Sequence, residues 1–265
     1  MAISAGLLLF SYLASYDKPA KAWFMTIFGL LYAPLLILNT FLLVWALFRR
    51  SRSFLIPLIA IAPSIFIIGK YFRPASETIA EDGKDLRIIT YNVGRFSLSQ
   101  GDGLKSWKEC RDSVMAYLKS TDADIICLQE FQSESVRAMT SYLAGTMEDY
   151  RLNYYVKEGP GCCFGNVTLS RIPVRNKGRI SFDNSANLAF YTDHEVGDKV
   201  LRVYNCHFQS YGISISRLAE SMEADYKKTF RETEDRMRSS IIRRPEQVAQ
   251  VMESIDSCPV GAIVA

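Results

Sequence analysis

The sequence predicts a layered α/β sandwich behind a membrane-spanning N-terminal segment, on three observations. Residues 1–73 are dominated by long uncharged apolar runs. From residue 86 onward, short strand-like runs alternate with amphipathic helical stretches, the order expected of an α/β layered domain. Three of the strand-like runs stop on a polar group: Leu86 to Asn92, Ala123 to Glu130 and Val200 to His207.

The N-terminal runs are read as about three spans. Trp23 to Phe48 carries no charge and as one helix would extend roughly 39 Å, more than the roughly 30 Å hydrocarbon core of a bilayer. Phe54 to Ile68 is uncharged but interrupted by Pro57 and Pro63, and Met1 to Tyr16 is a third run of marginal length. A signal peptide is the competing reading of the first run, but it lacks a basic start and an Ala-x-Ala exit. The basic cluster Arg49-Arg50-Ser51-Arg52 would lie in the cytoplasm by the positive-inside rule. That predicts a multi-pass membrane protein, with the bilayer as a partner and everything after Arg73 on the extracytoplasmic face. Lys18 and Lys21 oppose this orientation.

Residues 74–85 read as a polar linker, and 86–265 as the folded domain. Strand 86–92 is followed by a loop at 97–103 and a helix near 106–119. Strand 124–129 and a helix near 133–144 come next, then strands near 150–156, 165–170, 178–182, 188–193 and 200–206. A charged helix over 214–242 repeats Leu218, Met222, Tyr226 and Phe230 every fourth residue, a stripe expected to pack on a core. Pro245 is expected to open a last helix at 246–256, before a buried strand at 259–265.

Composition narrows the chemistry. Residues 1–73 hold seven Lys/Arg against one Asp, a balance of +6, so the remaining 24 Lys/Arg against 27 Asp/Glu give −3. The larger part therefore lacks the broad basic footprint of a dedicated DNA binder, while a small local phosphate site stays open. Two histidines in the whole chain exclude a multi-His metal site, so any metal is held mainly by oxygen. Cys110, Cys127 and Cys206 read as small core residues, Cys162-Cys163 as a turn, and His194 as a surface residue. Arg243-Arg244 reads as a solvated pair at a helix end.

Glu130 is the most informative single residue. A charge at the end of a buried strand needs a partner or a shifted pKa, and a hard divalent cation supplies one. A solvated loop carboxylate is the bland alternative. Likewise Asn92 taken alone is a turn residue, and His207 alone a structural histidine.

Taken together, Ile89-Thr90-Tyr91-Asn92-Val93, Ile126-Cys127-Leu128-Gln129-Glu130, Leu169-Ser170-Arg171-Ile172-Pro173-Val174 and Tyr204-Asn205-Cys206-His207-Phe208-Gln209-Ser210 resemble, in order, the endonuclease/exonuclease/phosphatase superfamily. The N-terminal runs and the segment Phe182 to Asn187 resemble a membrane-anchored bacterial branch of it. The resemblance implies a four-layer α/β/β/α sandwich and metal-assisted hydrolysis of a phosphodiester or phosphomonoester. Glu130 and Asn92 would bind Mg²⁺, with Mn²⁺ as the alternative ion, and Asn92 would also act in catalysis by orienting the phosphate. His207 would hydrogen-bond a phosphate oxygen or aid proton transfer, while Asn166 and Gln209 would line the substrate site. The substrate would be a lipid, a small phosphate ester or a nucleic acid.

The chain departs from the family at its end. A Gly-Asp-Phe-Asn-like motif and a later Asp-His pair, expected after the last strand, have no counterpart in 1–265. The expectation is a fragment, incomplete at the C-terminus and a poor catalyst by itself. A membrane-anchored binding or scaffold protein that has lost its chemistry is the alternative from a different class.

Overall fold

The computed structural model describes residues 1–14, 23–70, 86–96, 106–183, 185, 187–210 and 226–265. The expected linker 74–85, the loop 97–103 and the start of the 214–242 helix, with Leu218 and Met222, lie outside the described residues. Those described fall into two compact units, one drawn from 1–79 and 210–245, the other from 80–209 and 246–265.

In the first unit, α1 (Ala2–Leu13), α2 (Trp23–Leu30), α3 (Tyr32–Phe48), α4 (Leu55–Ile61) and α5 (Ser64–Ile67) are short helices. The apolar run 23–48 is not one helix: it breaks at Leu31, and its longer part, α3, has 17 residues, about 26 Å at 1.5 Å per residue. The 54–68 run breaks beside Pro63 into α4 and α5. Ala5, Leu8, Tyr12, Tyr32, Ala60 and Ile67 form a small core. Polar bonds cross it: the Tyr12 hydroxyl donates to Ala60 O at 2.7 Å, and the buried Asn39 amide donates to Ser4 O at 3.0 Å. Among the described residues no helix is long and apolar enough to cross a membrane. This overturns the expected transmembrane segment, and with it the multi-pass location and the extracytoplasmic placement.

The second unit is built on two four-stranded sheets. The strands are β1 (Ile88–Asn92), β2 (Ile125–Ser133), β3 (Arg151–Gly159), β4 (Cys162–Ser170), β5 (Val174–Ser181), β6 (Leu188–Val196), β7 (Lys199–His207) and β8 (Gly261–Val264). Sheet order is β1-β2-β4-β3 and β5-β6-β7-β8, with β1–β2 and β7–β8 parallel and the other neighbours antiparallel. Two helices cover the first sheet. α6 (Trp107–Ser120) starts at a Ser106/Glu109 capping box, and α7 (Val136–Thr146) starts where Ser135 Oγ accepts from the Ala138 N–H.

Alternation along each strand sorts the layers. Ile126 and Leu128 of β2, with Val167 and Leu169 of β4, pack outward with Met115 and Leu118 of α6 and Met139 and Leu143 of α7. Ile125 and Cys127 turn inward to meet Val203 of β7. On the far side, Tyr204 and Ala189 pack with Val251 of α8 (Tyr226–Asp256). Between β3 and β4 the backbones approach so closely that a Cβ on Gly165 would lie 2.3 Å from Tyr155 O.

Several local expectations change. Pro245 lies inside α8 rather than opening a helix. Its ring removes one backbone N–H from the helix interior, and the helix nevertheless runs on to Asp256. Arg243-Arg244 is accordingly within the helix. Tyr226 and Phe230, expected on a core, are exposed and stack with ring centroids 6.1 Å apart. Cys162-Cys163 begins β4 rather than a turn. His194 is wholly buried, between Ser170 Oγ at 3.1 Å from Nδ1 and Thr192 Oγ1 at 2.7 Å from Nε2.

Candidate active site

β2 does not end at Glu130 but runs on to Ser133, with a register shift between Leu128 and Phe131. Glu130 is the extra residue of this bulge, in left-handed backbone at φ 56°. In an uninterrupted strand it would share the helix-covered face with Leu128. A bulge re-aims one side chain, and here it brings the carboxylate to the inner face.

Three groups converge on that carboxylate. Asn92, the last residue of β1, donates Nδ2 to Glu130 Oε1 at 2.9 Å. Its Oδ1 accepts from the Gly94 N–H at 2.9 Å, which fixes the amide orientation. His207, the last residue of β7 in the other sheet, places Nε2 3.2 Å from the same Oε1. Arg95 Nε lies 4.0 Å from the second oxygen, Oε2. The His207 hydrogen bond, then those of Asn92 and the nearby charges, hold the Glu130 carboxyl down at about 2 against an opposing effect of burial. It is therefore ionised across the physiological range.

Beneath lies a buried amide network that joins the sheets. Gln129 Nε2 donates to Asn205 Oδ1 at 2.8 Å, and Asn205 Nδ2 donates to Val167 O at 2.9 Å and Leu128 O at 3.2 Å. Asn166 is fully buried within it, donating to Leu188 O at 3.1 Å and Asn205 O at 3.2 Å. Its Oδ1 has no hydrogen-bond partner among the described residues. The Gln209 N–H donates to the Gln247 Oε1 of α8 at 2.8 Å, two residues beyond His207. Asn92, Glu130 and His207 thus meet in one place, Asn166 lies beneath them between the sheets, and Gln209 is tied to α8.

Sequence reasoning missed Arg95, Phe164 and the Gln129–Asn205 pair. The available signal for Arg95 was Gly94 directly after Asn92-Val93, which permits a tight turn that returns the next side chain to the site.

Among the described residues no group of three His, Cys, Asp or Glu side chains is placed to hold a metal ion. One ionised carboxylate nevertheless fits Mg²⁺, a hard ion that binds through one or two carboxylates and completes its shell with water and substrate phosphate. Asn92 Oδ1 is occupied by Gly94, so its NH₂ rather than its oxygen faces Glu130.

Among solved structures, the chain is similar to a humanized TDP2 of D. rerio carrying 14 mutations, with 19% identity and a TM-score of 0.42, over 68% of this chain and 59% of that one. It is similar to TDP2 from C. elegans, with 19% identity and a TM-score of 0.43, over 83% and 54%. An endonuclease/exonuclease/phosphatase from Beutenbergia cavernae DSM 12333 matches with 17% identity and a TM-score of 0.39, over 48% and 39%. The chain thus spans less than two thirds of the length of each. No curated protein matches it. Residues 1–71 match a domain of unknown function, DUF8431. Residues 89–256, more than half of the chain and the stretch that carries Asn92, Glu130 and His207, match the endonuclease/exonuclease/phosphatase family, to which the chain therefore belongs.

Proposed function

We propose that the chain carries a divalent-metal-dependent phosphoesterase centre, in which Glu130 holds the ion and Asn92 and His207 serve the substrate phosphate. The observation that supports this most is the convergence of an amide, an imidazole and a guanidinium on one ionised carboxylate, from β1, β7 and the turn after β1. Phosphate-ester hydrolysis by water needs charge stabilisation on the non-bridging oxygens, a positioned nucleophile and help for the leaving oxygen. Mg²⁺ bound at Glu130 would neutralise charge on the phosphate and on the departing oxygen. Asn92 presents a neutral donor that adds no like charge. His207, an imidazole within hydrogen-bond reach of the carboxylate, is suited to moving a proton to or from an ester oxygen.

The test is hydrolysis of bis(p-nitrophenyl) phosphate by the purified protein, with Mg²⁺ or EDTA, beside Glu130→Gln. Mn²⁺ binding followed by electron paramagnetic resonance reads the same carboxylate independently of turnover. Mn²⁺ binding decides: the reading expects it to disappear in the variant, together with the slow metal-dependent turnover of a chain that lacks the Gly-Asp-Phe-Asn-like and Asp-His motifs. Mn²⁺ affinity unchanged by Glu130→Gln would overturn it.

A further inference from the structure

Arg95 is held in place yet little used. Gly94, Arg95 and Phe96 all lie in left-handed backbone, at φ 54°, 58° and 57°. Such conformations are costly for non-glycine residues and persist where the surroundings enforce them. Here Phe96 is buried edge-on against Phe131, with ring centroids 5.2 Å apart. The turn carries the Arg95 guanidinium to 4.6 Å above the Phe164 ring. A guanidinium has five N–H donors, and among the described residues none of those of Arg95 makes a hydrogen bond, its nearest carboxylate atom lying 4.0 Å away. The side chain is 57% exposed. An arginine already ordered on an aromatic face loses less freedom when it captures an anion.

Lys157 extends the row. It is the register partner of Phe164 across β3 and β4, so the two side chains share a face, with Cβ atoms about 5 Å apart. Its ammonium donates to Ser185 O, and a group with three donors keeps capacity for another acceptor. β2, β4 and β3 are successive neighbours in the first sheet. Gln132 of β2 is the residue opposite Phe164, so Glu130 lies two residues back along the strand from the line of Phe164 and Lys157, and Lys157 is about 12 Å from Glu130, two strand spacings across and two residues along. One phosphoryl group cannot bridge both ends.

We propose that Arg95 and Lys157 form an anion subsite that takes a second phosphoryl group of the substrate, next to the one held at Glu130 and His207. The proposal rests on the phosphoesterase reading and narrows its preferred substrates to compounds carrying at least two phosphoryl groups. A nucleic-acid strand and a small bisphosphorylated molecule share that chemistry.

The test measures binding to the protein at saturating Mg²⁺ by calorimetry, with inorganic phosphate and with tripolyphosphate, each affinity corrected for the Mg²⁺ that the anion itself binds. Tripolyphosphate should bind at least about tenfold tighter than phosphate, and Arg95→Ala or Lys157→Ala should shrink that advantage to about threefold or less. Lys199→Ala removes the same charge from the opposite end of β7 and should leave the advantage intact, which separates a subsite from general attraction. Competition against tripolyphosphate by a four-residue single-stranded DNA, or by a bisphosphorylated sugar, identifies the source of the second group. Equal affinity for the two anions in the unmodified protein would overturn the subsite. So would an advantage that survives both site variants, or one that Lys199→Ala diminishes equally. Bis(p-nitrophenyl) phosphate carries one phosphoryl group and does not need the subsite, so its hydrolysis tests the phosphoesterase reading separately.

Discussion

Glu130 Oε1 lies 3.2 Å from His207 Nε2, although the two residues belong to different sheets. The contact therefore depends on the separation of the sheets at this end of the sandwich. Gln129 and Asn205, one residue before Glu130 and two before His207, set that separation through their 2.8 Å amide bond. The site inherits its geometry from a network with no solvent-facing role of its own.

Asn205→Leu should lower the unfolding free energy by about 1–3 kcal/mol, measured by urea denaturation. It takes away the closest acceptor of the Gln129 amide, which keeps only Thr90 Oγ1 at 3.1 Å and Cys127 O at 3.3 Å, and it leaves the extra acceptor capacity of Leu128 O and Val167 O unused in a dry interface. The double variant Gln129→Leu/Asn205→Leu should cost less than the sum of the two singles, because it removes both halves of the pair. Additive losses would show that the amides act independently.

The depressed Glu130 carboxyl owes most to His207, then to Asn92. His207→Ala should therefore raise the midpoint of the Glu130 ¹³C-carboxyl titration in metal-free protein, from about 2 toward the ordinary 4.5. A carboxylate with a depressed folded-state value contributes stability that is present above 4.5 and is lost as the pH falls toward 2. That acid-sensitive part of the stability curve should shrink in the same variant. A titration midpoint that stays put would separate the carboxylate from the imidazole.

Sequence patterns revealed the polar residues that close β1 and β7 and placed Glu130 at the edge of an apolar run. They did not reveal how Glu130 turns, because a bulge changes one backbone angle and leaves no mark on period-two hydrophobicity. His194 was misjudged for a related reason. Thr192-Asp193-His194 reads as polar and exposed, but Arg202 pairs with Asp193 at 2.6 and 2.8 Å, and two hydroxyls satisfy the imidazole. Partners distant in sequence make such burial affordable. The N-terminal runs misled because absence of charge measures apolarity but not helix continuity. Breaks at Leu31 and beside Pro63 cut the runs into pieces that pack on one another through Tyr12 and Asn39.

Burial holds the His194 imidazole down at about 4, against an ordinary 6.5. Below pH 6.5 the unfolded chain takes up a proton that the folded protein refuses, so stability is lost progressively down to about pH 4. The full loss is about 3 kcal/mol at roughly 1.36 kcal/mol per pH unit. Thermal melting between pH 7.5 and 4.5 should show this decline. His194→Gln, which retains groups able to bond Ser170 and Thr192, should flatten it. An unchanged slope would assign the acid sensitivity to other groups.

Gly165 couples packing to the site, since its neighbours in β4 are Phe164, which supports Arg95, and Asn166, which bonds across to Asn205. A methyl group there would meet Tyr155 O at 2.3 Å, Val156 Cα at 2.6 Å and Leu188 Cδ1 at 2.8 Å. Two of these are backbone atoms that no rotamer change can move, so β3 and β4 must separate or the sheets must part. Gly165→Ala should therefore destabilise the fold by about 1–3 kcal/mol, the range for forced overpacking. Any protein that still folds should bind Mn²⁺ and anions more weakly, although no side chain at the site has been altered. Native stability together with native Mn²⁺ and anion binding would mean that the close strand approach does not position the site.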